Sequence, residues 1–261
     1  DPFLVSYNGK CFDAPLLQAR YTMQRQRLAL THWPHLDLLH PARSLYRPRV
    51  PDCRLGTIER FVLGVVRSQA DVPSALIPSI YFDYLRTGAV DQLGRVFYHN
   101  LVDILSLAGL SASEAAALEG RPECTHPCDH LGAAKLLEST GRLEEAEAAY
   151  RRALVVATGR TRIEPMQRLG FLLKRTGRHE AAAEVWRALV EAGADPEAVA
   201  AVELAKHLEH RVQDYDAASK VVSAALERQA GRRSRLSEEL QYRLERVQRK
   251  AAARERRLQS A

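Results

Sequence analysis

The chain has 261 residues, and its 38 Lys and Arg against 32 Asp and Glu leave a formal charge of +6 and a pI near 9.3. That length suits one large or two ordinary domains, and the surplus charge favours a polyanionic partner, whether RNA, DNA or an acidic protein surface. No apolar run reaches the ~20 residues that a bilayer crossing needs, so no membrane partner is expected, and no signal peptide opens the sequence.

Phe3-Leu4-Val5 is a continuous apolar run of the kind that forms a fully buried strand in a parallel sheet, and Asn8-Gly9 ends it with a turn. Asp13 follows, with Pro15 two residues on and Leu16, Leu17 and Tyr21 at helical spacing, so it lies at a strand-to-helix junction. An aspartate there either caps the helix, its commoner use, or faces a site. His35-Leu36-Asp37-Leu38-Leu39 reads as a second strand carrying Asp37 near its end. From Val96 to Leu110, apolar residues cover nearly every direction around a helix, which predicts burial on most sides. Asp103 lies in the middle, and a carboxylate taken out of water must be neutralised, paired or bound to a metal. His99 and Asn100, four and three residues earlier, share its helical face. Such a polar stripe is either part of a site or a satisfied core network, for example His99 bonded to Asp103.

Asn8-Gly9 with Phe12-Asp13, then Leu36-Asp37-Leu38-Leu39, then Leu55 to Gly64, then His99-Asn100 with Asp103, form an ordered series. It resembles the ribonuclease-H-like domain of predicted bacterial exonucleases that carry tetratricopeptide repeats behind the nuclease, within the DEDD exonuclease superfamily. The resemblance runs from about Phe3 to about Leu110. It implies a mixed sheet flanked by helices, and four acidic residues holding two divalent ions, Mg2+ or Mn2+. Those ions would activate water and stabilise the leaving oxygen in 3'-5' exonucleolytic hydrolysis of phosphodiesters. Asp13 matches the second acidic motif and Asp103 the third, both as metal ligands, with Asn8 and Asn100 in support. Asp37 either supports the site or is a strand-end surface residue.

The family's first motif, an Asp-x-Glu on the first strand, belongs upstream of Phe3, and the sequence starts at Asp1. Two of the four carboxylates and the strands beside Phe3-Leu4-Val5 are thus absent, which gives an N-terminally truncated sheet. Either the chain is a fragment of a longer protein, which an initial residue other than Met fits, or it is a degenerate enzyme. In both cases weak divalent-ion binding and no activity of the chain alone are expected. The general base departs from the family pattern too. Members use a His five residues before the last Asp or a Tyr four before it, whereas here Tyr98 is five before and His99 four before. Imidazole titrates near neutrality and suits removal of a proton from water, so His99 is the candidate base and Tyr98 the alternate.

The character of the sequence changes near residue 111, from prolines among mixed signals to Ala, Leu, Glu and Arg in helical runs. The expected boundaries are 1–110 for the ribonuclease-H-like domain, 111–129 for a linker and 130–261 for helical repeats. Within the linker, Cys124, His126, Cys128 and His130 offer zinc-type ligands, but within seven residues. Structural zinc sites draw on two separated pairs, so a loop and helix start with Asp129 as cap is preferred. The remaining cysteines, Cys11 and Cys53, leave too few for a disulfide scaffold and point to a reducing cytoplasm.

Gly141-Arg142 with Ala146, Tyr150 and Ala153 recurs 36 residues on as Gly177-Arg178 with Ala182, Trp186 and Leu189, and again as Gln213-Asp214 with Ala218, Val222 and Ala225. Leu136, Leu172 and Leu208 keep the same offset. This period points to stacked helical hairpins, with a small residue for close approach and a large one filling the next turn. The units look like tetratricopeptide repeats. Leu236, Leu240, Leu244, Val247 and Ala251 then make an apolar stripe on a terminal capping helix. Its basic face includes Arg243, Arg246, Arg249 and Lys250, which either track a phosphate backbone or form a solvated surface.

The reading is an α/β ribonuclease-H-like domain followed by an all-α tetratricopeptide-like solenoid, with nucleic acid as substrate and a protein partner in the repeat groove. The alternative is a repeat scaffold whose nuclease domain is vestigial and binds protein or nucleic acid. A small metal-binding adaptor built on the Cys/His cluster ranks third.

Overall fold

The computed structural model describes residues 3–28, 32–68, 71–121, 126–229 and 235–259. They divide into two compact units, Asp1–Arg142 and Leu143–Ala261.

In the first unit, β1 (Leu4–Ser6) pairs in parallel with β2 (His35–Asp37), in the register Leu4 to His35, Val5 to Leu36 and Ser6 to Asp37. The connection passes through α1 (Asp13–Met23), as parallel neighbours require a crossover. The sheet has these two strands among the described residues, so β1 is half-buried rather than fully buried as its apolar run predicts. α2 (Leu39–Tyr46) follows directly and buries Leu39, Ala42, Leu45 and Tyr46 at helical spacing. α3 (Leu55–Ile58) runs into a π-helical turn, Glu59–Leu63, which ends at Gly64 in the left-handed region. Then come α4 (Ile77–Thr87), α5 (Leu93–Glu119) and α6 (Pro127–Ser139).

The core of this unit gathers Leu38, Ala42, Leu45, Tyr46, Val50, Ile58, Leu110, Ala117 and Ala133. α6 lies so close to α2 that a Cβ on Gly132 would stand 2.3 Å from the Ser44 carbonyl oxygen and 2.6 Å from Leu45 Cα. Glycine is required there by the approach of two backbones. Arg49 locks the same contact by a two-pronged bond to Asp129, 2.7 and 2.8 Å.

Three expectations are corrected. The segment from Ser111 is not a linker at first, because α5 continues through Glu119, and α6 packs within the first unit. The helix is not buried on most sides: Phe97 is 68% exposed and Leu101, Ile104 and Leu105 more than half exposed, while Leu110 and Ala117 reach the core. Burial is concentrated in the C-terminal half, where α2 and α6 pack against it. Finally, by length and composition α5 is apolar enough to cross a membrane, against the reading that no run was. Core helices pass the same test, and Leu110, Ala117 and the half-buried Leu107 and Leu118 tie this one to the domain core.

The second unit is helical: α7 (Leu143–Val156), α8 (Ile163–Arg175), α9 (His179–Glu191), α10 (Val199–His207) with a π-helical extension Leu208–Val212, α11 (Tyr215–Arg228) and α12 (Arg235–Gln259). The repeat period has a direct structural counterpart. Ala146, Ala182 and Ala218 are all fully buried, and Tyr150, Trp186 and Val222 are buried one turn on. At the turn, Gly141, Gly177 and Gln213 all take positive φ, 79°, 81° and 59°, so the third unit keeps the conformation although it lacks the glycine. α12 lays Leu240 against α11 with Leu236 and Leu244 beside it, and buries Val247 too, as its apolar stripe predicts.

Candidate active site

The loop from β1 to α1 is held from below by Asp37. Its carboxylate, buried at the end of β2, accepts from the backbone N–H of Asn8 (2.7 Å), Lys10 (3.0 Å) and Leu39 (3.2 Å). Burial alone would raise this carboxyl, but the three N–H donors outweigh it and hold it below the ordinary aspartate range. Asp37 is therefore neither a surface residue nor part of the cavity wall; it shapes the loop. Asn8 takes φ 64°, which asparagine tolerates better than most residues. Gly9 sits under Ser6, whose Oγ accepts from the Gly9 N–H at 3.2 Å and meets His35 Nε2 at 2.7 Å.

This loop delivers Asp13 to the first turn of α1. The cap position is Phe12, with no side-chain cap bond, so Asp13 does not serve as the N-cap. Its side chain instead lines a cavity of about 760 Å³ together with Ser6, Lys10, Trp33, Asn100 and Asp103. The two aspartates singled out from distant parts of the sequence thus face one space, and Asn100 joins them. Apolar groups, among them Phe12, Leu17, Ile104 and Leu107, form much of the remaining wall.

Asp103 also borders a second cavity of about 430 Å³, lined by Arg54, Arg67, Asp71, Ser74 and His99. There it is bound by Arg67, a residue that sequence reasoning did not select. The Arg67 guanidinium grips Glu59 with two bonds of 2.6 and 2.7 Å, reaches Asp71 at 3.4 Å and His99 Nδ1 at 2.9 Å, and bonds to Asp103. His99 Nδ1 lies 2.8 Å from Asp71 and Nε2 3.3 Å from Ser74 Oγ, whereas the approach to Asp103 is 3.6 Å, beyond hydrogen-bond range. The bonds to Glu59 and Asp103 raise the Arg67 pKa further, burial opposing. Tyr98 is turned elsewhere: its hydroxyl accepts from the Ser68 N–H at 3.2 Å, and it lines neither cavity.

The missed residues had one visible signal. Glu59 stands in the apolar segment Leu55 to Gly64 beside Ile58, and it is 1% exposed; a carboxylate in that setting needs a cation. Nothing in its spacing identified Arg67 or Asp71 as the partners.

Two divalent ions need several carboxylates around one point. Among the described residues no group of three or more His, Cys, Asp or Glu is arranged to hold a metal, and the cation at Asp103 is the Arg67 guanidinium. The described residues therefore do not fit the ion pair that the resemblance implies. At the Cys/His cluster, His126 is the cap of α6, its Nδ1 accepting from the Cys128 N–H at 3.2 Å, and Asp129 is spent on Arg49 instead of capping. Cys124 lies outside the described residues.

Residues 1–113 match the model of the RNase_H superfamily. They form a ribonuclease-H-superfamily domain. Residues 130–155 match a tetratricopeptide repeat model. Over 108 residues the chain is 43% identical to the Uncharacterized protein YprB of Bacillus subtilis (strain 168), a stretch that covers 41% of this chain and 26% of that protein. The chain thus spans about a quarter of the length of that relative. No solved structure matches it.

In the repeat unit, Arg243, Arg246 and Lys250 converge on the buried Glu209 at 3.4, 2.5 and 2.7 Å, and Arg249 bonds the Glu245 carbonyl at 3.4 Å. Three of the four cations expected to track phosphate are thus bonded to this carboxylate, which fastens α12 to the π-turn.

Proposed function

We propose that the ribonuclease-H-superfamily domain engages nucleic acid at the cavity of Asp13 and Asp103, as part of a 3'-5' exonuclease whose hydrolytic site needs carboxylates beyond these two. The observation that carries this reading is the shared cavity: an aspartate at the start of α1 and one within α5, ninety residues apart, line one space beside Asn100. Its lining sets the carboxylates and Lys10 among apolar and aromatic groups, including the part-exposed Trp33, a residue type on which bases stack. His99, which lines the neighbouring cavity with Asp103 and sets Nδ1 against either Asp71 or Arg67, would keep its place as the proton acceptor.

The test uses single-stranded RNA and DNA with Mn2+. The 261-residue chain is expected to leave both intact. A version supplied with an Asp-x-Glu strand before Phe3 is expected to hydrolyse one of them, and Asp13→Asn or Asp103→Asn to abolish that activity. Hydrolysis that survives both substitutions would contradict the assignment. The scaffold reading has one observation in its favour, the guanidinium bonded to Asp103; it predicts binding without hydrolysis even after the strand is supplied.

A further inference from the structure

The repeat unit contains a second charged cavity, of about 440 Å³, that the nuclease reading does not use. It is walled by α8, α9, α10 with its π-turn, and α12, and its lining includes Lys174, Lys206, Arg211, Arg243 and Arg246 with His179, His207 and His210. The cations exceed their partners. Glu203 accepts from Lys174 at 2.5 Å and Lys206 at 2.7 Å. Glu209 accepts from Arg243, Arg246 and Lys250, and Glu239 lies 3.9 Å from Arg243. Arg211 meets a ring nitrogen, His179 Nε2 at 2.7 Å, in place of a carboxylate. Among the residues that line the cavity, five Lys and Arg thus stand with one carboxylate, Glu203, while Glu209, outside the lining, accepts from Arg243 and Arg246. His207 also lines it, and its imidazole is pushed down chiefly by burial, with Glu180 opposing and Arg211, His179 and Arg187 adding to the shift.

We propose that this cavity binds the phosphate groups of a single nucleic-acid strand. Its chemistry is donor-rich and positively charged, which suits phosphodiester oxygens. A docked peptide would need an apolar anchor besides charge. The aromatic ring in the lining, Trp186, is 2% exposed and already packed, with its Nε1 edge 2.3 Å from where a Cβ on Gly170 would stand and its ring edge-on to Phe171. Phosphate recognition needs no such anchor. The choice of nucleic acid over another polyphosphate rests on the proposed function of the first domain.

The test is fluorescence anisotropy of labelled oligonucleotides on the full chain in EDTA, across about 50 to 200 mM salt, so that neither ions nor hydrolysis enter. Lys206→Gln with Arg211→Gln should weaken binding about tenfold or more and flatten the slope of log affinity against log salt by about 1.4, at ~0.7 for each phosphate of a single strand that is no longer neutralised. Lys206→Arg with Arg211→Lys, which keep the charge, should retain most of the slope, and thermal melts of all variants confirm folding. An unchanged affinity and slope in the double Gln variant overturns the proposal. So does displacement of the strand by polyglutamate at equal charge concentration, which would assign the cavity to an acidic peptide. Absence of hydrolysis by the strand-supplemented protein tells against the exonuclease alone, since the anisotropy is read without metal.

Discussion

Arg67 decides the electrostatics of the first domain, because one planar fork satisfies the buried Glu59 and reaches Asp103 as well. Removing one partner of a buried ion pair leaves an uncompensated charge, so Arg67→Met should cost about 3–5 kcal/mol of stability, read as a lower midpoint in urea or heat. Arg67→Lys keeps the charge but not the fork and should fall between Met and the parent. A stability unchanged in Arg67→Met would show that Glu59 finds another cation. Glu114 makes the opposite case. It is buried on α5, its Oε1 has no hydrogen-bond partner among the described residues, and burial pushes its carboxyl up to about 8. The unfolded chain loses this proton near 4.5 and the folded one only near 8. The contribution to stability is therefore whole below about pH 4.5 and lost as pH rises to about 8, by up to about 5 kcal/mol at 1.4 per unit. Glu114→Gln should flatten the stability profile over that window, and a profile identical to the parent's would refute the shift.

At the scale of elements, the close pairing of α2 and α6 depends on Gly132. A methyl there would meet backbone atoms, which cannot rotate aside, so Gly132→Ala should destabilise the domain by about 1–3 kcal/mol, the usual cost of overpacking, and raise amide exchange in α2 and α6. Wild-type exchange rates in that variant would deny the close approach. How far the elements were legible follows from what the sequence repeats. The 36-residue period predicted where small residues meet large ones, and Ala146, Ala182 and Ala218 are all fully buried. Even the lapse at Gln213 keeps the turn, with φ 59° where the two glycines take 79° and 81°. The order strand, aspartate, helix was legible as well, since α1 does begin at Asp13. The environment of α5 was not. Apolar composition predicted burial, but α2 and α6 pack against its second half, and Phe97 and Leu101 remain exposed. The Arg67 cluster stayed hidden because ion pairs between residues 8 and 36 apart leave no periodicity to read.

For the molecule as a whole, two kinds of sequence information met with different success. The resemblance located a ribonuclease-H-superfamily domain and a repeat region, and the family models match both. It also implied an ion pair that the described carboxylates do not gather. The difference is physical: a fold tolerates variation at many positions, whereas a two-ion centre requires every ligand at once. Asp13 and Asp103 line one cavity, but the cation already at Asp103 is the Arg67 guanidinium. The most direct measurement is calorimetric titration of Mn2+ into residues 1–261. Weak, non-saturating heats that are the same in Asp13→Asn are predicted, and tight binding of two ions that Asp13→Asn or Asp103→Asn removes would contradict the account.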